Sequence, residues 1–244
     1  LRGPGIRGPR EPLRSTHWSR SSPTSSTSDA SAPPSTALPI SRWATSAVIA
    51  DALTSYPRAT VTDVGSVKGT VLAELRIGRM PILMGGDHCL GLGSISAVAR
   101  HCRESGKRLR VLWLDAHADF NTSQVTPSGN VHGMPVACLC GFGPKELIEI
   151  GGHVPAISPK WVRQIGIRSV DEGERRFVHE QDLEVFDMRF IDEMGMRHTM
   201  ELALATLDDN THLHVSFDAD FLDPDIAPGV GTPVRGGPTY REAQ

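Results

Sequence analysis

Residues 109–119 read Leu109-Arg110-Val111-Leu112-Trp113-Leu114-Asp115-Ala116-His117-Ala118-Asp119, and this stretch decides the fold. It begins with a mostly apolar run, which is typical of a strand buried within a sheet. Acidic or imidazole side chains then follow at every second position, and in extended backbone such positions point to the same side. We therefore expect Asp115, His117 and Asp119 to converge where the strand ends.

Two further clusters have the same form. Gly85-Gly86-Asp87-His88 follows the apolar residues 81–84, and Asp218-Ala219-Asp220 follows residues 213–217, so each cluster is predicted to follow a buried strand. Ligands bind at the carboxyl edge of an α/β sheet, where we expect the three clusters to meet. The candidate metal ligands are His88, Asp115, His117, Asp119, Asp218 and Asp220.

The chemistry of these side chains selects the kind of cation. Carboxylates and imidazoles without thiolates suit Mn²⁺, Mg²⁺, Fe²⁺ or Zn²⁺. Six such ligands exceed one tetrahedral site, but they fit two ions that share carboxylates, typically about 3.5–4 Å apart in hydrolases. A single cluster of this kind is often only a polar strand end, and the repetition of the pattern is what favours a binuclear metal site.

Helical and extended patterns alternate along the chain. Apolar spacing predicts helices over residues 44–56, 67–77 and 94–104, strands over 161–167 and 182–188, and a long helix over 189–207 with a break at Gly195. Such alternation is typical of a mostly parallel sheet covered by helices on both faces. The predicted fold is therefore α/β, a three-layer α-β-α sandwich with the metal site at the carboxyl ends of its strands.

Composition limits the classes of function. The chain has 244 residues and a net charge of −3, which gives no electrostatic basis for binding nucleic acid or an anionic membrane. No apolar run approaches the roughly 20 residues that span a bilayer. The four cysteines form no C-x-x-C pair, so we expect reduced thiols in a cytoplasmic protein.

The first residues differ from the rest in composition. Residues 1–43 are rich in Ser, Pro, Gly and Arg and show no hydrophobic period, so we predict a disordered leader. Three origins stay open for it: an organellar transit peptide, a disordered tail, and a coding region translated partly in the wrong frame. Residues 44–244 are predicted to form one domain.

Several of these motifs resemble the ureohydrolase family, the manganese enzymes that release urea from guanidino compounds. The resemblance lies in Gly85-Gly86-Asp87-His88, in Asp115 to Asp119 followed by Phe120-Asn121-Thr122, and in Ser216-Phe217-Asp218-Ala219-Asp220-Phe221-Leu222-Asp223-Pro224. Within the family, Ser128-Gly129-Asn130-Val131-His132-Gly133 and Gly166-Ile167-Arg168-Ser169-Val170-Asp171-Glu172-Gly173-Glu174 resemble arginases rather than agmatinases.

The resemblance implies two Mn²⁺ ions per subunit and assigns their ligands. The first ion would be bound by His88, Asp115, Asp119 and Asp218, and the second by Asp115, His117, Asp218 and Asp220, with Asp115 and Asp218 bridging. A hydroxide between the ions would attack the guanidinium carbon. The resemblance makes His132 the proton shuttle and gives Asp119 a catalytic role as well.

The implied substrate is L-arginine, which would be hydrolysed to L-ornithine and urea. Residues implied to contact it are Asn121, Thr126, Ser128 and Asn130 at the α-carboxylate, Asp171 with Glu174 at the α-ammonium, and Thr232 near the metals. Polar residues in turns also cap backbone groups, and for any one of them that alternative is about as strong. The family further implies a homotrimer or homohexamer.

Residues 239–242 read Thr239-Tyr240-Arg241-Glu242, the spacing of a capping box that starts a helix. The family continues at this point through further strands and helices and supplies a glutamate that binds the guanidinium, so we expect this chain to be a truncated form. Three hypotheses stay open: an arginase, an agmatinase or other guanidino-compound ureohydrolase, and a catalytically weak metal-binding fragment.

Overall fold

The computed structural model describes residues 67–244. Its strands are β1 (Arg108–Leu114), β2 (Val162–Ile167), β3 (Glu184–Asp187) and β4 (Thr211–Phe217). Its helices are α1 (Val67–Arg76), α2 (Leu90–Ser105), α3 (Pro135–Leu139), α4 (Lys145–Ile148), α5 (Glu172–Glu180), α6 (Met188–Met194) and α7 (Met196–Ala203). Short 3-10 turns occupy Val131–Gly133, Pro159–Trp161 and Ala219–Phe221.

The strands form one parallel sheet in the order β3-β2-β1-β4. The chain proceeds from β1 through β2 to β3, and then crosses to the other side of β1 to add β4. The order therefore reverses between β1 and β4, which pair from Arg108 with Thr211 to Leu114 with Phe217. Such a reversal opens a crevice beyond the carboxyl ends of the two strands, where α/β proteins bind ligands.

Two apolar cores lie on opposite faces of the sheet. Because side chains alternate along a strand, Val111 and Trp113 of β1 face one core, which also contains buried residues of α1 and α2. Leu112 faces the second core together with Ile191 and Ala203, which come from the region of α6 and α7. The α/β fold with a helical layer on each side of the sheet is thus confirmed.

Glycines in left-handed backbone end the helices where the sequence predicts. Helix α1 buries Val71 and Leu75 and ends before Gly78, whose φ is 74°. Helix α2 ends at Gly106, whose φ of 69° is a conformation that few other residues adopt without strain. The predicted break at Gly195 is confirmed, because that residue separates α6 from α7.

The prediction of a buried strand over residues 81–84 is wrong. No strand of the part of the chain that the structure describes pairs with this segment, and Met80, Ile82 and Met84 are 82%, 77% and 76% exposed. The prediction that β4 is buried is also wrong. Among the described strands it pairs with β1 alone and forms an edge of the sheet, so Val215 and Phe217 remain half exposed.

Two predictions fall on residues that the structure does not describe, namely the leader over residues 1–43 and the helix over 44–56. Within residues 67–244, no helix combines the length and the apolar character needed to cross a bilayer.

Candidate metal centre

Three segments bring the predicted ligands to the crevice between β1 and β4. The loop that follows β1 carries Asp115, His117 and Asp119, and the turn that follows β4 carries Asp218 and Asp220. His88 lies in the turn just before α2. The convergence predicted from the sequence therefore occurs, and it occurs where the strand order reverses.

The first group of potential ligands consists of His88, Asp115 and Asp218, whose ligand atoms all lie within 4.8 Å of one another. His88 Nδ1 lies 2.7 Å from Asp115 Oδ2 and 3.3 Å from Asp218 Oδ2. The opposite ring nitrogen, Nε2, lies 2.8 Å from the Ser216 hydroxyl. This contact fixes the ring so that Nδ1 faces the carboxylates.

The second group consists of Asp115, His117 and Asp220, again within 4.8 Å of one another. His117 Nδ1 lies 3.4 Å from Asp115 Oδ1 and 3.1 Å from Asp220 Oδ2. Asp115 thus presents one oxygen to each histidine and belongs to both groups. Asp218 belongs to the first group only, and its Oδ1 accepts a hydrogen bond from the backbone N–H of Asp220 at 2.9 Å.

Asp119 lies beside the first group and outside both. Its Oδ2 is 3.7 Å from His88 Nδ1, and its backbone is held at a φ of 49°. Burial and the charge of Asp115 hold the pKa of the Asp119 carboxyl well above its usual range. A cation placed in the cluster would oppose both effects by stabilising the ionised form.

Without a bound cation, the carboxylates of this cluster outnumber its imidazoles and leave an excess of negative charge. Burial by itself would lower the pKa of His88, but hydrogen bonds to Asp115 and Asp218 and the charges of Asp115 and Asp119 outweigh it and raise the pKa to about 10. The pKa of His117 rises to about 10 in the same way, through Asp115 and Asp220 against burial. The side chains therefore hold protons where divalent cations would fit.

The donor set tests which cation fits. Four carboxylates and two imidazoles, with no thiolate among them, suit Mn²⁺, Mg²⁺ or Zn²⁺. The two groups share Asp115, which is the arrangement that a pair of ions with a bridging carboxylate requires. The residues present thus fit a binuclear centre.

Several supporting residues escaped sequence reasoning. Trp113 donates its indole N–H to Asp115 Oδ2 at 3.0 Å, and its ring stacks on His88 with centroids 3.7 Å apart. Trp113 precedes Asp115 by two positions, so the strand period could have shown that both side chains point to one side. Gln164 is fully buried in β2 and donates to the carbonyl of Ala118 in the ligand loop, a contact that no local pattern signals.

A cavity of about 1620 Å³ extends from the cluster along β4. Its wall includes Asn121 and Asp171, which are joined because Asn121 Nδ2 donates to Asp171 Oδ2 at 3.2 Å. Glu174 also lines the cavity, but its two oxygens accept from the backbone N–H groups of Phe120 and Asp171 at 2.8 and 3.3 Å. Burial outweighs these bonds and raises the pKa of Glu174 to about 7.

In the loop that carries the remaining predicted substrate contacts, the side-chain hydroxyls bond to the backbone of the same loop. Thr126 Oγ1 accepts from the Gly129 N–H at 3.1 Å, and Ser128 Oγ accepts from the Asn130 N–H at 3.2 Å. Thr126 and Ser128 still line the cavity, whereas Asn130 is exposed and does not line it. The capping role that the sequence left open is therefore present.

Two predicted residues complete the cavity wall near the cluster. Thr232 donates its hydroxyl to Asp220 Oδ2 at 2.8 Å, which places it directly behind a potential ligand. His132 lines the cavity with its side chain 47% exposed, and its Nδ1 lies 3.9 Å from Asp87 Oδ2. Its imidazole is thus accessible both to the cavity and to water.

Together these features define an α/β protein with a carboxylate and imidazole cluster, a candidate metal site, at the carboxyl edge of a parallel sheet. The sequence model of the Arginase family matches residues 23–244. This chain belongs to the arginase family.

Individual relatives agree with this assignment. The arginase of Bacillus caldovelox is 48% identical over 167 residues, which cover 68% of this chain and 54% of that protein. The arginase of Emericella nidulans is 40% identical over 190 residues, covering 76% of this chain and 59% of that protein. The native structure of Bacillus caldovelox arginase at pH 5.6 superposes with a TM-score of 0.69 and 45% identity, covering 74% of this chain and 59% of that one. The chain thus spans about half the length of the curated relatives it matches.

Proposed function

We propose that this protein is a manganese-dependent hydrolase that converts L-arginine to L-ornithine and urea. The observation that carries the proposal is the position of Asp115, which belongs to both ligand groups at the carboxyl edge of the sheet in a member of the arginase family. A shared carboxylate is the feature that distinguishes a pair of ions from two separate sites.

We assign one metal to each group and, as the family resemblance implies, add Asp119 to the first and Asp218 to the second. His88, Asp115, Asp119 and Asp218 would hold one Mn²⁺, and Asp115, His117, Asp218 and Asp220 would hold the other. When bound, the two ions supply Lewis-acid activation of water as a nucleophile near neutral pH. Asp119 would accept a hydrogen bond from that nucleophile and keep it aimed at the guanidinium carbon, because its buried carboxylate lies beside the cluster.

His132 would protonate the amine that leaves as ornithine forms. An imidazole can act as a general acid, and this one lies in the cavity wall with access to solvent, which can return a proton to it after each turnover. Asp87 Oδ2 lies 3.9 Å from His132 Nδ1, close enough for a long ion pair with the protonated ring. The proton therefore reaches the leaving nitrogen from the cavity wall.

The cavity wall supplies the contacts that would separate arginine from agmatine, which lacks the α-carboxylate. The side-chain oxygen of Asn121 is buried and has no hydrogen-bond partner among the described residues, although its amide nitrogen is held by Asp171. The second N–H of the Asn121 amide and the hydroxyls of Thr126 and Ser128 would donate to the α-carboxylate, and Asp171 would accept from the α-ammonium. Glu174 would act by holding the Asp171 backbone rather than by touching the substrate.

Urea release tests the proposal. The purified chain is assayed with arginine and with agmatine, in Mn²⁺ and after chelation, and its metal content is measured by plasma emission. We expect two Mn²⁺ per chain and urea from arginine only. Asp115→Ala and Asp218→Ala should lose metal and activity, whereas Asp225→Ala, which changes an exposed acid of the neighbouring loop, should keep both.

Other results would favour the alternatives. A preference for agmatine would make the protein an agmatinase or a related guanidino-compound hydrolase. Two bound Mn²⁺ without turnover would leave a catalytically weak metal-binding chain. One zinc per chain, or no loss of metal in Asp218→Ala, would overturn the binuclear centre.

We further propose that the enzyme works in the cytoplasm as a homotrimer or homohexamer. The family membership supports an oligomer, and the free thiols of Cys89, Cys102, Cys138 and Cys140 are consistent with a reducing compartment. Light scattering of the purified protein measures the assembly, and a monomeric mass at assay concentration would contradict it.

A further inference from the structure

Arg168 follows the end of β2, and all three nitrogens of its guanidinium donate hydrogen bonds to backbone carbonyls. Nη2 donates to Asp220 O at 2.7 Å and to Val234 O at 2.8 Å, and Nη1 donates to Phe221 O at 3.0 Å. Longer bonds reach the carbonyls of Leu222, Val234 and Gly166. No carboxylate among the described residues is hydrogen-bonded to this half-buried guanidinium. It is held by neutral carbonyl oxygens instead, which is unusual for a cation that is partly removed from water.

The carbonyls belong to two segments that both act on one ligand of the second group. Asp220 and Phe221 lie in the 3-10 turn Ala219–Phe221, which presents the Asp220 carboxylate to His117, and Leu222 follows that turn. Val234 lies two residues after Thr232, whose hydroxyl donates to Asp220 Oδ2 at 2.8 Å. One guanidinium therefore fixes both the main chain of Asp220 and the loop that supports its side chain.

A third segment is tied to the same residue. The backbone N–H of Arg168 donates to the carbonyl of Ala116 at 2.9 Å, and Ala116 lies between Asp115 and His117. The Ala116 N–H donates in turn to Asp220 Oδ1 at 3.2 Å. Arg168 thus connects the loops after β1 and β4, on which the second group depends, and its hydrogen bonds reach neither His88 nor Asp218 of the first group.

The fit around the guanidinium requires its planar fork. A side chain at Gly237 would place its Cβ 2.6 Å from Arg168 Nη2, so the loop approaches closely. The Asp223 carboxylate closes that loop by accepting from the N–H groups of Gly236 and Gly237 at 2.8 and 3.2 Å. A lysine has three donors on one nitrogen, whereas the three nitrogens of Arg168 reach five carbonyls, so a lysine would lose several of these bonds.

We infer that Arg168 is a positioning residue for the metal site formed by Asp115, His117 and Asp220, and that it sets the affinity of this site separately from the site formed by His88, Asp115 and Asp218. The inference rests on the proposed binuclear centre. Losing the support behind a metal ligand typically costs about 10- to 100-fold in metal affinity.

Stepwise Mn²⁺ binding without substrate tests the inference. The chelated protein is titrated while free Mn²⁺ is followed by electron paramagnetic resonance, and thermal unfolding of the metal-free protein is recorded in parallel. In Arg168→Lys and Arg168→Met, one ion should bind as in the wild type, the other about 10- to 100-fold more weakly, and the spin-coupled pair signal should be lost. Arg163→Lys is the matched control, because Arg163 lies on β2 and pairs with Glu184 at 2.7 Å, away from the metals.

Thr232→Val provides an independent variant should the Arg168 variants fail to fold. It removes the hydroxyl donor to Asp220 and should weaken the same single ion, and no change in the affinity of that ion would overturn the inference. The inference would also be overturned if Arg168→Lys bound both ions with wild-type affinity. Equal loss of affinity for both ions, together with a lower unfolding temperature, would overturn it as well, because that result describes a general structural role for Arg168. A wild-type chain that binds no pair of ions would overturn the proposed centre and this inference together.

Discussion

Asp171 serves two purposes at one position. It is the N-cap of α5 and forms a capping box with Glu174, and its Oδ2 accepts from Asn121 in the cavity wall. The charge of the carboxylate and its ability to cap a helix are therefore separable by substitution. An asparagine keeps an oxygen for the cap but removes the charge.

Asp171→Asn should lower kcat/KM for arginine by at least ~10-fold, because a charge-assisted hydrogen bond is worth about 1.5–3 kcal/mol. Its unfolding free energy and Mn²⁺ content should stay at wild-type values. Asp171→Ala should show the same kinetic loss and in addition lose about 1 kcal/mol of stability with the cap. Steady-state urea assays and urea denaturation measure the two effects.

Asp187→Ala is the control for the cap alone. Asp187 caps α6 by accepting from the Phe190 N–H at 2.8 Å and lies outside the cavity wall, so its loss should reduce stability and leave arginine kinetics unchanged. Unchanged kinetics in Asp171→Asn would remove Asp171 from the substrate site.

The potential ligands were predictable because each cluster is local in sequence. A period of two after an apolar run is enough to predict that Asp115 and His117 converge. Their support was not predictable, because Ser216 and Arg168 act across long sequence distances. The fold has to be known before such contacts can be inferred.

At the scale of elements, β2 carries a glycine that the sheet requires. Gly166 has a φ of 89°, and a Cβ at this position would lie 2.4 Å from the ring of Phe221. Phe221 follows Asp220 in the turn after β4 and is buried in the second core. The close approach of β2 to this turn therefore helps to place a potential metal ligand.

Gly166→Ala should destabilise the metal-free protein by more than the roughly 1–3 kcal/mol expected from backbone strain, because the ring must also move. Gly195→Ala is the matched control, since Gly195 has a φ of 83° and no atom of the described residues lies within 4 Å of the position that its Cβ would take. Urea denaturation of both variants isolates the contact. Equal losses of stability would mean that Phe221 adapts freely, and the close approach would then have no role in placing Asp220.

Helix ends with local determinants were predicted correctly, and the two errors in the strands, at residues 81–84 and at the edge strand β4, concern pairing with other strands. The ends of α1 and α2 depend on Gly78 and Gly106, whose own left-handed backbone ends each helix without help from distant residues. Residues 81–84 have the composition of a strand, but among the described residues they find no strand to pair with. At residues 239–242 the Thr239 N–H donates to Glu242 Oε2 at 2.8 Å as in a capping box, yet a single turn follows instead of a helix.

At the scale of the whole molecule, the exposed edge of the sheet lies beside the cavity. Leu213, Val215 and Phe217 of β4 expose large apolar surfaces, and so do Ile82 and Met84 on the segment across the cavity. An exposed strand edge next to apolar surface is a site for pairing with another strand. The relatives, of which this chain spans about half, contain further chain that could cover it.

A chimera that adds the portion of Bacillus caldovelox arginase outside the matched region should therefore differ from this chain in two measurable ways. It should bind less of an apolar dye and unfold at a higher temperature, because the edge of β4 and the side chains across the cavity would be covered. The metal content of both proteins should be equal, since all six potential ligands lie in the present chain, between His88 and Asp220. Equal dye binding and equal unfolding temperatures of the two proteins would mean that the added portion leaves the edge of β4 uncovered.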